Sequence, residues 1–361
     1  MEIANETLYM QRALQLAQLG AGYVSPNPQV GAVIVCKNRI IGEGYHRFYG
    51  GAHAEVEAIK NVAAADLHLL AESAIYVTLE PCFHTGKTPP CVDLILKHRI
   101  PTVIIACLDP NPLVGGQSVA KLRAAGVRVE IGVLEAEAYK IAASFLMGIK
   151  QKRPYIILKW AQSVDGFIGK LDKSVWLTNE YSKRLVHKWR SEVAAIAVGA
   201  NTIRIDNPSL TTRLWPGKSP ARVTWLRQAE TLQNALFFSK NGGGNVFLFQ
   251  EQAKPIRLTP DINTSFGINI LQIEFDSPSF FSTLFSELHR HKIDSILIEG
   301  GLKTLQTFID NGVWDEARVF TAPIYLKDGI KAPVFPFSPA NVDYLQDDKL
   351  AYFYQVKGND F

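Results

Sequence analysis

The sequence predicts an α/β protein with two domains. Strand-like and helix-like hydrophobic patterns alternate through both halves of the chain, which is typical of sheets covered by helices. The 361 residues also exceed the usual size of one hydrophobic core. A charged stretch that ends in proline, Lys150 to Pro154, interrupts the alternation. We therefore predict one domain at 1–149 and a second at 150–361.

The pattern of the first domain predicts a sheet with helices on both faces. Apolar residues at helical spacing, or a proline suited to the first helical position, indicate its helices. The predicted helices are Leu8–Leu19, one from near His53 to Val62, one opening at Pro90, Val119–Ala125, and Glu135 to about Ile149. The predicted strands are Val30–Val35, Ile40–Gly44, Ala74–Leu79, Thr102–Leu108 and Val127–Val133.

The second domain shows the same alternation. Its short apolar runs predict strands at Tyr155–Ala161, Val193–Val198, Arg222–Leu226, Asn245–Phe249, Ile268–Ile273, Ser295–Ile298 and Ala317–Ala322. Helices are predicted at Glu180–Arg190, Pro278–His289 and Leu302–Asn311. The second half is therefore also α/β.

Composition and charge narrow the function classes. Hydrophobic residues make up 47% of the chain and charged residues 20%, as in ordinary globular proteins. The net charge of +4 comes from scattered Lys and Arg, so a small anionic substrate fits at least as well as nucleic acid. The chain starts with an acidic segment, and no apolar run approaches the ~20 residues of a membrane span. We expect a cytoplasmic protein that binds neither nucleic acid nor membrane and forms a homo-oligomer.

The cysteines point to metal chemistry rather than to disulfides. Four cysteines are too few for a disulfide scaffold, and Cys36 and Cys107, at the ends of apolar runs, are interpreted as core thiols. His53, Cys82 and Cys91 offer one imidazole and two thiolates. Three such ligands with a fourth position open are typical of catalytic zinc, here one ion per chain.

Glu55 is the predicted proton carrier of this site. Zinc lowers the pKa of bound water to roughly 7, and a carboxylate beside the ligands can transfer protons during hydrolysis of an amino group. His-x-Glu followed by Pro-Cys and a second Cys is the signature of zinc deaminases acting on bases. The alternative interpretation is a structural zinc, or a core cluster without metal.

The segment from Pro81 to Cys91, with Pro26–Pro28 and Asp109–Pro112, resembles the deaminase domain of the bifunctional riboflavin-biosynthesis family. The resemblance covers the first domain and implies a cytidine-deaminase-like, three-layer α/β/α fold. It implies hydrolysis of an amino group from a diaminopyrimidinone that bears a phosphoribosylamino group. The implied substrate-binding residues are Asn27, His46, Thr78, Lys87 and Asn111. In the alternative interpretation, the two asparagines are turn residues, and His46 and Lys87 are solvated side chains.

Six short blocks make the second domain resemble the reductase half of the same family, which is similar to dihydrofolate reductase. They are Leu158–Gly166, Ser174–Thr178, Trp189–Arg190, Val198–Thr202, Asp206–Thr211 and Glu299–Gly301. Each block alone also fits a core aromatic, a turn or a solvated charge. Glu299–Gly301 joins a strand to a helix, where backbone amides can bind phosphate. The resemblance carried by the six blocks, in this order along the chain, implies an NADPH-dependent reductase that converts the ribosyl group to ribityl.

The resemblance also implies which residues of the second domain bind which ligand. The cofactor-binding residues are Ala161, Trp176, Thr202, Asp206, Gly301, Leu302, Lys303 and Thr304, and the substrate-binding residues are Ser174, Arg190, Leu210, Arg213 and Glu299. Thr224–Arg227 and Tyr325–Gly329 depart from the family pattern. Two alternatives remain open: a nucleic-acid base deaminase with a C-terminal binding module, and a zinc-stabilised scaffold without activity.

Overall fold

The computed structural model describes residues 3–83, 89–111, 115–171, 175–227, 235–239, 243–251 and 267–355. The chain divides into two compact units between Lys152 and Arg153. None of the helices in these described ranges has the length and apolar character that a membrane crossing requires.

Within its described residues, the first unit contains a five-stranded sheet and five α-helices. Its elements are α1 (Ile3–Gln18), β1 (Gly31–Cys36), β2 (Arg39–Tyr45), α2 (Ala54–Lys60), a 3-10 helix (Ala64–Glu72), β3 (Ala74–Leu79), α3 (Cys91–Lys97), β4 (Thr102–Cys107), α4 (Gln117–Ala124), β5 (Arg128–Ile131) and α5 (Glu135–Gln151). The strand order is β2-β1-β3-β4-β5. β1 is antiparallel to β2 and β3, whereas β3, β4 and β5 are parallel.

Two glycines show that α1 and α2 cover opposite faces of this sheet. A Cβ on Gly31 of β1 would meet the backbone of Ala13 in α1, and a Cβ on Gly44 of β2 would meet the backbone of Ala58 in α2. Gly44 pairs with Ala32, the neighbour of Gly31, and adjacent strand residues face opposite sides. The first unit is therefore the expected three-layer α/β/α arrangement.

The second unit is built on a nine-stranded sheet. Its elements are β6 (Tyr155–Ser163), β7 (Phe167–Gly169), α6 (Glu180–Glu192), β8 (Ala195–Ala197), α7 (Ala200–Asp206), β9 (Ala221–Leu226), a 3-10 helix (Leu236–Phe238), β10 (Val246–Glu251), β11 (Ile268–Ile273), α8 (Phe280–Arg290), β12 (Ser295–Ile298), α9 (Leu302–Asp310), β13 (Glu316–Ala322), β14 (Ile330–Lys331), β15 (Asn341–Leu345) and β16 (Asp348–Tyr354). The order is β11-β10-β9-β8-β12-β6-β13-β16-β15. The first seven strands in this order, from β11 across to β13, are parallel to their neighbours. β16 and β15 follow them and form an antiparallel edge.

The two segments that depart from the family pattern have ordinary structural roles. Thr224 is buried in β9, where its hydroxyl donates to the Val198 carbonyl at 2.9 Å. The backbone N–H groups of Leu326 and Lys327 donate to the carboxylate of Asp165 at 3.1 and 2.7 Å. Both segments are therefore tied to neighbouring strands or loops.

Candidate active sites

His53, Cys82 and Cys91 converge in the first unit. His53 caps the N-terminus of α2, Cys91 is the first residue of α3, and Cys82 lies beyond the end of β3. The Cys82 and Cys91 sulfurs lie 3.5 and 3.3 Å from Nδ1 of His53. The three ligand atoms all lie within 4.8 Å of one another.

This geometry and donor set fit tetrahedral zinc. One N and one S ligand of the same zinc are about 3.6 Å apart for normal bond lengths and tetrahedral angles, close to the two N–S separations found. The backbone N–H of Cys91 donates to the Cys82 sulfur at 3.2 Å. Hydrogen bonds from the Cys91 thiol and the His53 ring, against the effect of burial, lower the pKa of Cys82 to about 4. Cys82 is therefore favoured as a thiolate, the form in which cysteine binds zinc.

Glu55 lies in the first turn of α2, the helix whose N-cap residue is His53. Its side chain is buried at 3% exposure, and burial is the main reason that its pKa is raised. It interacts with the thiol of Cys91, so it lies against the ligand cluster. A carboxyl group in this position is suited to exchanging protons.

His46 and Asn27 extend the same site. The Nδ1 of His46 faces the Ala52 carbonyl at 2.9 Å, so this nitrogen carries the proton. The other ring nitrogen then accepts from the amide of Asn27 at 3.0 Å. The His46 and His53 rings pack edge-to-face with centroids 5.6 Å apart. Burial lowers the pKa of His46, so the ring is neutral and is not the solvated side chain of the alternative interpretation.

The remaining predicted residues of this site differ in placement. Thr78 is buried in β3, and its hydroxyl accepts from the backbone N–H of Gly31 at 3.1 Å. Asn111 is half-buried in the loop after β4, where its N–H donates to Asp109 at 2.9 Å. Lys87 lies outside the described residues.

Glu80 organises this loop, a role that the sequence analysis missed. Its buried carboxylate accepts from the backbone N–H groups of Asp109, Gly116 and Ser118 at 3.3, 2.9 and 3.1 Å. It thereby ties both ends of the loop that carries Asn111 to the segment that continues into Cys82. A carboxylate placed directly after a buried strand was the available signal.

The second candidate site lies at the carboxyl end of β12, beside the middle of its parallel neighbour β6. Open α/β sheets bind ligands at such strand ends. Ile298 pairs with Leu158, so the next residues, Glu299 and Lys159, are neighbours with a 3.6 Å separation between charged groups. Arg190 of α6 donates through Nε and Nη2 to the two oxygens of Glu299, both at 2.9 Å. Burial alone would raise the pKa of Glu299, but the charges of Arg190 and Lys159 outweigh it and lower this pKa to about 2.

Lys159 was not singled out in the sequence. Burial lowers its pKa, while the carboxylate of Glu299 acts in the opposite direction. A lysine inside the apolar run of β6 was the signal, because such a residue is almost never buried without a partner.

The loop from Leu210 to Arg213 lies against α6. Arg190 donates through Nη1 to the carbonyl of Thr211 at 3.3 Å. The backbone N–H of Arg213 donates to Nδ1 of His187 at 3.2 Å. Leu210 is buried and has a positive φ of 53°. The structure thus brings Arg190, Arg213, Leu210 and Glu299 together, whereas Ser174 lies outside the described residues.

The Gly301 turn is a suitable phosphate-binding element. Gly301 precedes α9, and its N–H donates to the hydroxyl of Thr202 at 3.2 Å. A Cβ on Gly199 or Gly300 would lie 2.5 or 2.7 Å from the side chain of Thr304, so a side chain at either position would displace Thr304. Because Gly301 has no capping side chain, the first-turn N–H groups, with Leu302 and exposed Lys303 beside them, can bind cofactor phosphate.

Three predicted cofactor residues lie in other segments. Ala161 is half-buried in β6. Asp206 is exposed at the end of α7, where partial desolvation raises the pKa of its carboxyl. Trp176 is 63% exposed and lies 4.6 Å from the ammonium of Lys183. Trp176 is therefore a surface side chain, not the core aromatic of the alternative interpretation.

Comparison with known proteins matches both units. Residues 4–107 match the cytidine and deoxycytidylate deaminase zinc-binding region, and residues 154–337 match the RibD C-terminal domain. The riboflavin biosynthesis protein RibD of Aquifex aeolicus is 37% identical over 89% of this chain and 88% of its own length. RibD of Bacillus amyloliquefaciens is 40% identical over 91% of this chain and 87% of its own length.

The chain belongs to the RibD family. A solved Thermotoga maritima structure, named as a diaminohydroxyphosphoribosylaminopyrimidine deaminase and 5-amino-6-(5-phosphoribosylamino)uracil reductase, has a TM-score of 0.86 at 34% identity. The match covers 97% of this chain and 99% of the Thermotoga maritima chain.

Membership of the RibD family gives the general function. The chain is a bifunctional enzyme of riboflavin biosynthesis that combines deaminase and reductase activities on a small-molecule substrate. Its cofactors are zinc and NADPH. The expectation of a deaminase-like fold followed by a reductase fold is confirmed, and the scaffold and nucleic-acid alternatives are not supported.

Proposed function

We propose that the enzyme deaminates 2,5-diamino-6-(5-phosphoribosylamino)pyrimidin-4-one and then reduces the ribosyl group of the product to ribityl. The first reaction belongs to residues 1–149 and the second to residues 150–361. The observation that carries the proposal is the convergence of one imidazole, two thiols and the buried carboxyl of Glu55. It supports hydrolytic removal of an amino group.

In the first step, His53, Cys82 and Cys91 hold zinc and Glu55 moves the protons. Zinc supplies an activated water at neutral pH. Glu55 takes one proton from the attacking water and delivers it to the ring nitrogen, and it then carries the second proton, from the newly added hydroxyl, to the departing ammonia. The loop that Glu80 ties down carries Asn111 to the substrate, and Asn27, His46, Thr78 and Lys87 complete the binding site.

Asn27 and His46 orient the substrate through a fixed hydrogen-bond pattern. Because His46 donates to Ala52, its second nitrogen accepts from Asn27. This leaves the amide oxygen of Asn27 as an acceptor for a substrate N–H. Neutral His46 also adds no positive charge that would compete with the metal.

In the second step, the protein positions the ribosyl carbon for hydride from NADPH. The Gly301–Thr304 turn and Thr202 bind the cofactor phosphates, and Ala161, Trp176 and Asp206 line the rest of its site. Arg190 and Arg213 bind the substrate phosphate, with Ser174, Leu210 and Glu299 around the sugar. The net charge of Lys159, Arg190, Arg213 and Glu299 suits a phosphate monoester, which carries about −1.5 to −2 at pH 7.

We also propose that the enzyme works in the cytoplasm as a homo-oligomer. The RibD relatives are bacterial, and the reaction uses NADPH. Sedimentation velocity on the purified chain measures the oligomeric state, and a single monomeric species at micromolar concentration would contradict that part.

One experiment tests both reactions. The purified chain is incubated with the diaminopyrimidinone phosphate, with and without NADPH, and the products are identified by mass. We expect exchange of one amino group for oxygen without NADPH, and a further gain of two hydrogens with it. Absence of the first change would refute the proposed deaminase substrate.

The Glu55→Gln variant tests the role of the carboxyl. We expect ammonia release to fall by about 10²- to 10⁴-fold or more, because the proton carrier is removed. Zinc content, measured by atomic emission, should stay near one per chain, and reduction of the deaminated intermediate should not change. Loss of zinc from this variant would show that Glu55 holds the metal instead.

A further inference from the structure

His187 is a buried imidazole next to the site that binds the substrate phosphate. It is 2% exposed and lies one helical turn before Arg190 on α6, so both side chains project from the same face. Neither the hydride transfer nor the phosphate contacts described above use it.

We propose that His187 is a positioning residue that fixes the Leu210–Arg213 loop, so that Arg213 meets the phosphate of the reductase substrate. This inference rests on the proposed function, since it takes Arg213 as a phosphate-binding residue. It assigns to His187 no contact with the reacting atoms.

The loop is attached to α6 at two points. Nδ1 of His187 accepts from the backbone N–H of Arg213 at 3.2 Å, and the Arg190 guanidinium donates to the carbonyl of Thr211 at 3.3 Å. Glu299 holds Arg190 in turn by two bonds of 2.9 Å. Arg190 therefore positions one peptide of the loop, and His187 positions another two residues along.

These attachments determine where the Arg213 guanidinium lies. That side chain is exposed, and its Nη1 donates to the hydroxyls of Ser209 and Thr211 at 3.2 and 3.4 Å. Thr211 belongs to the loop and Ser209 directly precedes it, so both hydroxyls follow this segment of backbone and do not fix it. Among the described contacts of Arg213, the bond to His187 is the one that attaches its backbone to a helix or strand.

The ring must be neutral to play this role, because a protonated imidazole has no acceptor nitrogen. Burial, followed by the charges of Arg190 and Arg213, lowers the pKa of His187 to about 4, against the opposing effects of the Glu299 charge and of a hydrogen bond to the Thr211 backbone. The same two arginines that would bind phosphate thus keep their neighbour in the accepting form. A neutral ring also avoids a further positive charge beside them.

The His187→Asn and His187→Leu variants separate the accepting nitrogen from the volume of the side chain. The Oδ1 of asparagine can occupy the position of Nδ1 and accept the same bond, whereas leucine fills space without an acceptor. Arg184→Gln serves as the matched control, because Arg184 is exposed on the same helix. Steady-state kinetics use the deaminated, phosphorylated intermediate and the same compound without its phosphate.

We expect His187→Leu to raise the KM for the phosphorylated substrate about 10- to 100-fold, with kcat within about threefold of wild type. The KM for NADPH should not change. His187→Asn and Arg184→Gln should both lie within about threefold of wild type. With the dephosphorylated substrate, wild type and His187→Leu should have equal kcat/KM.

Two results would overturn the role of His187. An equal rise in KM in the Asn and Leu variants would show that the accepting nitrogen does not matter. A loss of kcat/KM in His187→Leu that persists with the dephosphorylated substrate would show that the effect does not depend on the phosphate. If His187→Leu fails to bind NADPH or to melt cooperatively, His187→Ala replaces it and the same comparison with His187→Asn decides. If wild type itself reduces both substrates equally well, the proposed phosphate site fails and the role of His187 fails with it.

Discussion

His187 remains uncharged at neutral pH because it is buried between two arginines. Its pKa in the folded protein is about 4, whereas an unperturbed histidine titrates near 6.5. As the pH falls below 6.5, the unfolded chain gains a proton that the folded chain takes up only near pH 4. The free energy of unfolding must therefore decrease across this interval and change no further from this group below pH 4.

We predict that His187→Asn removes this pH dependence. Between pH 7 and pH 4 the variant should lose about 2 to 3 kcal/mol less stability than wild type. Urea unfolding followed by tryptophan fluorescence measures the difference at each pH, and Trp189 lies on the same helix. Parallel curves for wild type and variant would show that His187 titrates normally in the folded protein.

At the scale of single residues, the sequence identified the zinc-binding residues better than the residues that hold loops in place. His53, Cys82 and Cys91 could be predicted because few residue types bind zinc and their spacing is distinctive. Glu80 gave one signal, a carboxylate directly after a buried strand. Its partners and the partner of His187 could not be predicted, since they are backbone N–H groups contributed by distant loops. Any residue has a backbone N–H, so its position carries no signature in the sequence.

The elements around the zinc cluster are positioned by unusually close backbone contact. A Cβ on Gly44 in β2 would lie 2.3 Å from the nitrogen of Ala58 and 2.5 Å from the carbonyl oxygen of Ala54, both in α2. Backbone atoms cannot rotate away as a side chain does. The helix that begins after His53 and carries Glu55 can therefore lie this close to β2 only if Gly44 lacks a side chain.

We predict that Gly44→Ala displaces α2 and impairs only the deaminase. The free energy of unfolding of the first unit should fall by about 1 to 3 kcal/mol. Ammonia release should fall about 100-fold, the effect of a misplacement near 1 Å, and zinc content should drop below one per chain. Reduction of the deaminated intermediate should not change.

Gly169→Ala is the matched control for this substitution. No atom of the described residues lies within 4 Å of a Cβ at Gly169, and its φ is not positive, so both activities should remain. Full deaminase activity in Gly44→Ala would show that α2 tolerates the displacement.

Burial explains part of the accuracy of the predicted elements, although the largely buried strand β16 was also missed. Strands buried along their whole length, such as β1 and β3, gave apolar runs that the sequence shows directly. α7 was missed because it has only seven residues, with Ile203 alone buried. β15 was missed because it is an edge strand with mostly exposed residues, so no alternation of apolar and polar side chains marks it.

At the scale of the whole molecule, the stability of the second unit as a separate fragment depends on the residue at which that fragment begins. Arg153, the first residue of that unit, donates through Nη1 and Nη2 to the two carboxylate oxygens of Asp315, both at 2.6 Å. Both residues are buried, at 9% and 8% exposure. Asp315 also accepts from the N–H of Ile156 at 2.8 Å, which links the pair to the start of β6.

We predict that a fragment of residues 150–361 folds and oxidises NADPH when it is given the deaminated intermediate. A fragment of residues 155–361 lacks Arg153 and leaves the charge of Asp315 buried without its partner, which costs about 3 to 5 kcal/mol. Thermal unfolding should therefore occur at a clearly lower temperature in the shorter fragment. Equal melting temperatures would mean that the ion pair contributes no net stability.

The same fragments test whether the two activities are separable. A folded 150–361 fragment that does not consume NADPH would place part of the reductase site outside this unit. Chelation of zinc from the full chain provides the complementary measurement, because it should abolish ammonia release while reduction of the deaminated intermediate continues. The cluster of His53, Cys82 and Cys91 and the network around Glu299 draw all their described contacts from their own units, so each reaction should survive the loss of the other.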